Sequence, residues 1–331
     1  MKNLREKKKL NTLYCNYVME EHENVQDSEY PSIKHLVISG GGTYGVLAYG
    51  ALRETNRAGF WNVKNIKSIH AVSVGCILAT VILLQYEWEV IDDYLIKRPW
   101  EKVFKYDIQS ILNAYENRGL FDQKMIINIM KPLLLGKDIE LDITLKDLYE
   151  KTHVDLYLYT TETTSFELVS LSHYSHPDWK LIDAIYASAG LPVFISPYIK
   201  DGKSYIDGGV FLNYPLKYCM EIEDVQEDEI FGIQKECIYS SDDEISETSN
   251  ILDYIFILLN KVFIKINQDG ENTGLIQHEL VIKSCPICAS DLYQFSISEQ
   301  CRRKWVEEGA EYGRQFLTKY KGTRSSLTSI E

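Results

Sequence analysis

The sequence predicts an α/β fold in which helices cover a mostly parallel β-sheet. Short β-rich segments alternate along the chain with amphipathic helical segments, and the β-rich ones are 34–39, 68–72, 155–160 and 278–283. This alternation is typical of parallel sheets, because a crossover between parallel strands needs a connection of about the length of a helix. The 331 residues, of which 45% are hydrophobic and 25% charged, are enough for one large core or two ordinary ones.

The first predicted strand runs into three consecutive glycines, Gly40, Gly41 and Gly42, and then into a helix. The whole segment, from Val37 to Gly50, reads "VISGGGTYGVLAYG". Glycine-rich loops at the start of a helix point backbone N–H groups at a negative charge. Two anions fit this pattern, which are a cofactor phosphate and the oxyanion of a reaction intermediate.

The second predicted strand argues against a dinucleotide cofactor. Such a cofactor requires an acidic residue about twenty residues after the loop, at the end of that strand. Glu54 comes too early, inside the first helix, and the strand ends instead in "AVSVG". Ala71, Ser73 and Gly75 have the spacing of the G-x-S-x-G nucleophile elbow, in which small residues permit a sharp turn that exposes the serine. The short pattern also occurs by chance, so its weight comes from the glycine loop before it.

A serine nucleophile and a glycine loop together indicate acyl transfer. A serine that attacks an ester carbonyl creates an oxyanion, and we expect the N–H groups of Gly41 and Gly42 to point at it. Preorganised donors of this kind lower the barrier by about 3 to 4 kcal/mol each. Cys76, which follows the elbow, is interpreted as a small packed residue rather than a second nucleophile.

Three later segments are predicted to be helical. Segment 86–151 interrupts the alternation of strands and helices, and we expect it to form a helical cap beside the sheet. The apolar run at 251–264 predicts a core helix rather than a lipid-inserting one, because Asp253 and Lys261 break it. Segment 297–320 predicts a closing helix that caps the fold.

A serine nucleophile needs a base, and the sequence offers two kinds. The histidines after the elbow are His153, His173, His176 and His278. For each of them, a polar loop near the surface is the favoured interpretation. The other candidate is Asp207, which follows a β-rich run and precedes Gly208 and Gly209, a position that faces the crevice at the end of a strand. Its alternative role is that of an aspartate that stabilises a turn.

The cysteines provide one pattern with metal-ligand spacing. Cys285 and Cys288 form a C-x-x-C pair, which with Cys301 and His278 contains enough ligands for a zinc site. A single C-x-x-C is weak, so we interpret it as a loop with two small thiols and predict no metal. The seven cysteines are odd in number and scattered, which favours a reducing compartment over a disulfide framework.

The charge balance excludes some function classes. The formal net charge of −13 argues against nucleic-acid binding and against strong tethering to an anionic membrane. The basic cluster in "MKNLREKKK" is interpreted as a solvated tail. No apolar stretch in the sequence approaches a signal peptide or a membrane span. We therefore expect a cytoplasmic protein that is at most peripheral at membranes, with no stable protein partner.

Three motifs in order resemble the patatin-like phospholipases: "GGGTYG" from Gly40, "AVSVG" from Ala71 and "DGG" from Asp207. The resemblance extends to "GLFD" from Gly119, "DAIYASAGLPVFISPY" from Asp183 and "NYP" from Asn213. It covers residues 34–316, which predicts a leader at 1–33, one patatin-like domain at 34–316 and a tail at 317–331. It implies a three-layer α/β/α fold with a mostly parallel central sheet and a helical insertion.

The resemblance also implies a mechanism and site residues. Ser73 would be the nucleophile and Asp207 the base of a Ser–Asp dyad that cleaves acyl esters of phospholipids, lysophospholipids or related lipids. Gly40, Gly41 and Gly42 would form the oxyanion loop. The same motifs would support the site through Thr43, Tyr44, Gly45, Gly208 and Gly209, with Ala71 and Gly75 flanking the nucleophile. The family needs no metal or other cofactor, and its partners would be lipid substrate and, transiently, a membrane surface.

Two positions depart from the family pattern. Tyr44 stands where the family usually has Arg or Lys, so we expect one cation fewer near the mouth of the site. Ala71 stands where it usually has glycine, which keeps the elbow small. Two alternatives remain open: a Ser–His–Asp esterase that uses His173 or His176, and a decayed enzyme retained as a lipid-binding or partner-binding module.

Overall fold

The computed structural model describes residues 30–105, 108–238, 244–247, 249, 251–267 and 276–328. The predicted leader lies almost wholly outside these residues, as does the basic cluster near the N-terminus. Of the predicted tail, the described part belongs to a helix that continues from the domain without interruption. The domain boundaries at 33 and 316 stay a prediction.

The structure consists of ten strands and eleven helices within the described ranges. The strands are β1 (His35–Ile38), β2 (Ser68–Val72), β3 (Gly119–Phe121), β4 (Asp155–Glu162), β5 (Glu167–Leu171), β6 (Val193–Ile195), β7 (Tyr198–Lys200), β8 (Lys203–Asp207), β9 (Ile230–Cys237) and β10 (His278–Ser284). The helices are α1 (Tyr44–Arg57), α2 (Val74–Leu83), α3 (Trp88–Lys97), α4 (Ile108–Asn117), α5 (Gln123–Leu135), α6 (Leu145–Thr152), α7 (Leu181–Ser188), α8 (Leu216–Glu223), α9 (Ile251–Asn267), α10 (Ala289–Ile297) and α11 (Glu299–Thr328).

The central sheet has eight strands and is mostly parallel. Hydrogen-bonded neighbours follow the order β10-β9-β1-β2-β4-β8-β7, and β5 also pairs with β4. The five strands from β10 to β4 are mutually parallel, whereas β5, β7 and β8 pair in antiparallel fashion. A separate two-stranded sheet joins β3 to β6. The predicted α/β class and its mostly parallel sheet are confirmed.

Alternating side chains of the central strands pack against helices on both faces of the sheet. On β1, Leu36 and Ile38 belong to the large core that also contains residues of α1, α2, α5, α7 and α11. The residue between them, Val37, packs instead with Leu216 and Cys219 of α8. Because successive side chains of a strand point to opposite faces, helices must cover both sides of the sheet. This is the three-layer arrangement that the resemblance implied.

The sequence located some elements better than others. The four predicted strands correspond to β1, β2, β4 and β10, and the closing helix is α11, which runs on to Thr328. The helical insertion lies between α2 and β4, although it also contains the short strand β3. Strand β9, which lies between β10 and β1 inside the sheet, was not predicted.

Helix α9 is not the core helix that its apolar sequence predicted. Ile251 is 69% exposed, and Tyr254, Leu258 and Val262 are each more than 40% exposed. Phe256 and Asn267 are buried on the other side of the helix. The helix is therefore a surface element, because only one of its sides packs against the protein. None of the helices in the described ranges is both long and apolar enough to cross a bilayer.

Candidate active site

The sheet brings the ends of β2 and β8 together along one edge of β4. Strands β2 and β5 both pair with Tyr159, so they must occupy opposite edges of β4. Strands β5 and β8 both pair with Thr160, so β8 lies on the same edge as β2. Val72, the last residue of β2, pairs with Tyr159, and Asp207, the last residue of β8, pairs with Thr160. The two strands therefore meet end to end, which places Asp207 next to the residue that follows β2, Ser73.

Ser73 occupies a strained turn between β2 and α2. Its φ of 54° and ψ of −125° lie outside the regions that a serine ordinarily adopts. The turn is held by Ser188, whose Oγ accepts a hydrogen bond from the Ser73 N–H at 2.9 Å and donates one to the carbonyl oxygen of Tyr159 at 2.5 Å. This strand–turn–helix geometry is the one expected for a nucleophile elbow.

Small residues around the turn are required by close contacts. A Cβ atom on Gly75 would lie 2.7 Å from the carbonyl oxygen of Ile38. A Cβ atom on Gly45 would overlap the side chain of Val74, which begins the helix after the elbow. Ala71 is fully buried inside β2, so its methyl group fits where the family usually has glycine. The departure at position 71 leaves the turn intact.

The carboxylate of Asp207 is buried and hydrogen-bonded on both oxygens. Its Oδ2 accepts a hydrogen bond from Ser73 Oγ at 2.6 Å, and its Oδ1 accepts one from the Gly209 N–H at 2.7 Å. Burial raises the pKa of Asp207 from its ordinary value of 3.8 to about 6, against the opposing effect of these two hydrogen bonds. At Gly208, a Cβ atom would overlap the carbonyl oxygen of Tyr159. The absence of a side chain at Gly208 therefore allows the chain after Asp207 to pack directly against β4.

The glycine loop lies beside Ser73, because a Cβ atom on Gly40 would be 3.0 Å from Ser73 Cβ. The Gly40 N–H donates to the carbonyl oxygen of Asn213 at 3.2 Å, and it is therefore already engaged. Within the described residues, the N–H groups of Gly41 and Gly42 donate to no protein acceptor. Gly41 has a φ of 149° and Gly42 a φ of 61°, which explains why glycine suits both positions. Thr43 follows as the residue that precedes α1.

Two cavities meet at the Ser73–Asp207 pair. The first has a volume of about 180 Å³ and is lined almost entirely by apolar side chains, among them Leu78, Phe194 and Phe295. The second, called the polar cavity because it is the more polar of the two, has a volume of about 630 Å³. Its lining mixes apolar side chains with polar ones, the latter including Asn213, Lys235, Asn260 and Asn267. Ser73 and Asp207 line both. The Ser73 hydroxyl therefore lies at the boundary between an apolar cavity and a more polar one.

A lysine on a neighbouring strand supplies the cation that position 44 lacks beside the glycine loop. Tyr44 is buried, and its hydroxyl accepts a hydrogen bond from Ser39 Oγ at 3.3 Å. Lys235 of β9 reaches the same region, with Nζ 6.0 Å from the centre of the Tyr44 ring. A cation is thus present beside the loop although position 44 lacks one.

The candidate histidines lie elsewhere, which is a correction to the Ser–His–Asp alternative. His173 Nε2 lies 3.6 Å from Asp155 Oδ1, at the beginning of β4. Ser73 instead lies near Thr160, in the second half of that strand. At about 3.3 Å per residue, five residues of strand separate these points by roughly 16 Å. His176 contacts Ser175 in a loop, His153 ends α6 and His278 begins β10. Among the described residues, no histidine lines either cavity.

The cysteines do not assemble into the zinc site considered above. Cys285 and Cys288 follow the end of β10, whereas His278 lies at its beginning. In the described part of the chain no group of three or more potential metal ligands comes together. The thiol of Cys76, in α2, lies 3.1 Å from Ser188 Oγ. Because this thiol is fully buried, its pKa is raised. These positions agree with the interpretation of Cys76 as a packed residue.

Three residues of the site were not assigned roles from the sequence. Ser188 and Asn213 lay inside segments of the resemblance, but no pattern indicated that they hold the elbow and the glycine loop. Lys235 was missed together with β9, since that strand lies between two acidic segments, at 221–230 and 240–247, that have the composition of surface loops. That Lys235 is buried beside the glycine loop follows only from the strand order, which places β9 next to β1.

Comparison with known proteins agrees with this architecture. The family model described as Patatin-like phospholipase matches residues 36–220. An uncharacterized protein of Acanthamoeba polyphaga mimivirus is 28% identical over 230 residues, which are 68% of this chain and 74% of that protein. A probable lipid hydrolase of Invertebrate iridescent virus 6 is 25% identical over 55% of this chain and 62% of its own length. Among solved structures, VipD from Legionella pneumophila shares the fold with a TM-score of 0.53 at 16% identity, over 92% of this chain and 72% of VipD.

Proposed function

Because this chain belongs to the patatin-like phospholipase family, we propose that it is a lipid hydrolase that cleaves carboxylic esters of phospholipids or lysophospholipids through an acyl-enzyme on Ser73. The family match includes both Ser73 and Asp207. The observation that carries the proposal is the 2.6 Å hydrogen bond from Ser73 Oγ to the buried carboxylate of Asp207. The similarity to a probable viral lipid hydrolase points to the same reaction class.

In the first half-reaction, Asp207 Oδ2 accepts the proton of Ser73 Oγ as that oxygen attacks the ester carbonyl carbon. The carbonyl π electrons move to the oxygen, and the N–H groups of Gly41 and Gly42 stabilise the oxyanion. When the tetrahedral intermediate collapses, the bond to the alcohol breaks and the alcohol leaves with the proton from Asp207. The raised pKa of Asp207 makes this carboxylate a better base than an exposed aspartate.

In the second half-reaction, water replaces the alcohol. Asp207 accepts a proton from this water as the water oxygen attacks the acyl carbon on Ser73. Collapse of the second tetrahedral intermediate breaks the Ser73 ester, returns the proton to Ser73 Oγ and releases a fatty acid. The step needs no metal or redox group, since one carboxylate exchanges the proton in both halves.

The two cavities suggest how a lipid ester would lie across Ser73. An acyl chain gains most by burial among the side chains of the apolar cavity, at about 0.8 kcal/mol for each methylene removed from water. The alcohol portion of the ester would then occupy the polar cavity. This orientation places the scissile bond at the boundary, where Ser73 lies.

We also propose that the exposed side of α9 makes transient contact with a lipid surface. Ile251, Tyr254, Leu258 and Val262 are exposed and follow one another at intervals of three or four residues, which places them on one face. The opposite side of α9 contributes Phe263 and two asparagines to the polar cavity. A helix with this arrangement would bring the cavity close to the lipid that enters it. The cytoplasmic location and the lack of a stable protein partner stay predictions.

The central test is hydrolysis by Ser73→Ala and Asp207→Ala variants. We expect each to lose about four orders of magnitude or more in kcat/KM for a lysophospholipid, because nucleophile and base act as one unit. Ser204→Ala, on the same strand as Asp207, serves as a matched control and should retain activity. A fully active Asp207→Ala protein would disprove the dyad. A folded wild-type protein that reacts with no fluorophosphonate probe would favour the binding-module alternative.

A further inference from the structure

Lys235 lies against the glycine loop from the neighbouring strand. In the parallel register of β1 and β9, Ile38 pairs with Ile233, so Lys235 lies level with the start of the loop. Its backbone N–H donates to Ser39 Oγ at 3.0 Å. Its side chain crosses Gly41 so closely that a Cβ atom there would be 2.7 Å from Lys235 Cδ. The position of this side chain is therefore fixed by the same contacts that shape the loop.

The ammonium group of Lys235 forms no ion pair in the described part of the chain, although the more distant carboxylate of Asp291 acts on it. The residue is only 6% exposed, and its Nζ forms no hydrogen bond or ion pair with the described residues. The carboxylate of Asp207 is bonded to Ser73 and Gly209, and Glu236 pairs with Lys283 at 3.7 Å. A buried cation without a partner is costly, so burial lowers the pKa of Lys235. An anionic ligand in contact with Nζ would remove that cost.

The polar cavity is the space from which such a ligand would reach Lys235. Gly41, Lys235, Ser73 and Asp207 all line this cavity. Its other polar lining side chains include four amides and the carboxylate of Glu236, which pairs with Lys283. The side-chain N–H groups of Asn260 and Asn267 donate to backbone carbonyl oxygens of the surrounding segments. Lys235 is thus the one cationic side chain among the described residues that line the cavity. A lysine in this setting suits a phosphate, which it binds as a point charge.

We propose that Lys235 binds the phosphate carried by the alcohol portion of the lipid substrate and so selects phosphate-bearing acyl esters over neutral acylglycerols. The inference rests on the proposed function, because it assumes that the ester lies across Ser73 with its alcohol portion in the polar cavity. Lys235 is then a specificity-determining residue, and the proton transfers at Ser73 and Asp207 proceed without it.

The test compares two monomeric substrates with the same acyl chain, 1-decanoylglycerol 3-phosphate and 1-decanoylglycerol. Lys235→Met removes the charge while keeping the side-chain length, and Lys235→Arg keeps the charge. We expect Lys235→Met to lower kcat/KM for the phosphate ester by about 10- to 100-fold, the range of a charge-assisted hydrogen bond, with little change for the neutral ester. Lys235→Arg should retain most of the preference, and Lys146→Met, at an exposed lysine of α6 that lines neither cavity, serves as the matched control.

A binding measurement separates this inference from the proposed function. Calorimetric titration of the Ser73→Ala protein with dodecyl phosphate, with the neutral dodecyl glycerol ether and with inorganic phosphate needs no turnover. We expect dodecyl phosphate to bind most tightly, and a Lys235→Met change added to Ser73→Ala to weaken its binding by a similar factor. This result would support the inference even if wild-type protein hydrolysed neither ester, an outcome that would contradict only the proposed function.

Three results would overturn the inference while leaving a lipid hydrolase in place. Lys235→Met could lower kcat/KM for both esters by the same factor, which would assign Lys235 to the shared reaction centre. Dodecyl phosphate could bind no more tightly than the neutral ether. Inorganic phosphate alone could bind as tightly as dodecyl phosphate, which would indicate a site for a free anion rather than for a lipid. Near-ultraviolet circular dichroism of both Lys235 variants confirms that folded proteins are compared.

Discussion

Replacement of Asp207 by Asn should inactivate the protein and also change the pH dependence of its stability. The pKa of Asp207 is about 6 in the folded protein, against an ordinary value of 3.8, because the carboxylate is buried. Between these two pH values the folded protein binds more protons at this group than the unfolded chain does. The free energy of unfolding of the wild type therefore falls as pH rises through this interval.

The magnitude follows from the size of the pKa shift. At about 1.36 kcal/mol for each pKa unit, ionisation of Asp207 costs the folded protein about 3 kcal/mol above pH 6 and nothing below about pH 4. Asn at position 207 carries no titrating proton, and its side-chain oxygen can still accept the hydrogen bond from the Gly209 N–H. We therefore expect Asp207→Asn to gain up to about 3 kcal/mol in stability relative to the wild type between pH 4 and pH 7.

Urea denaturation of both proteins at several pH values between 4 and 8 measures this change. Other titrating groups are shared by the two proteins, so their contributions cancel in the difference. Asp201→Asn, on the exposed turn between β7 and β8, is the matched control for removal of one carboxylate. A stability difference between wild type and Asp207→Asn that stays constant across the pH range would contradict the raised pKa of Asp207. A loss of stability of Asp207→Asn relative to the wild type as pH rises would contradict it equally.

Three further changes test other parts of the site. In a pH–rate measurement, kcat/KM of the wild type should fall tenfold per unit below about pH 6, as the base Asp207 becomes protonated; a flat profile there would exclude that role. Ser188→Ala leaves the buried N–H of Ser73 without its acceptor, and a urea titration should show a loss of about 1 to 3 kcal/mol, whereas an unchanged midpoint would contradict it. Gly75→Ala forces a Cβ atom against the carbonyl oxygen of Ile38 and should cost about 1 to 3 kcal/mol by the same assay, with lower kcat/KM; wild-type stability would argue against the tight elbow.

The elements that carry strong local signals could be predicted from the sequence. The glycine loop, the small residues around Ser73 and the glycines after Asp207 are required by backbone conformations or close contacts that few other residues permit. Strands β2 and β4 stand out because their apolar runs are bounded by turns or polar residues. These signals are local, so a single sequence is enough to read them.

The parts that were missed depend on contacts between distant segments. Strand β9 is recognised as an interior strand only from its pairing with β1 and β10. A role for Lys235 at the site can be inferred only when β9 is known to lie beside the glycine loop. The exposed side of α9 was mistaken for a core face because an apolar sequence does not reveal which of its sides finds a partner. The end-to-end meeting of β2 and β8 on one edge of β4 likewise follows from strand registers, which the sequence does not specify.

The most direct measurement is identification of the residue that becomes covalently modified. Wild-type protein is treated with an alkyl fluorophosphonate, digested and analysed by mass spectrometry. We expect one adduct on the peptide that contains Ser73, formed far more slowly in Asp207→Ala protein of intact fold. An adduct on another residue, or equal labelling rates in the two proteins, would contradict it.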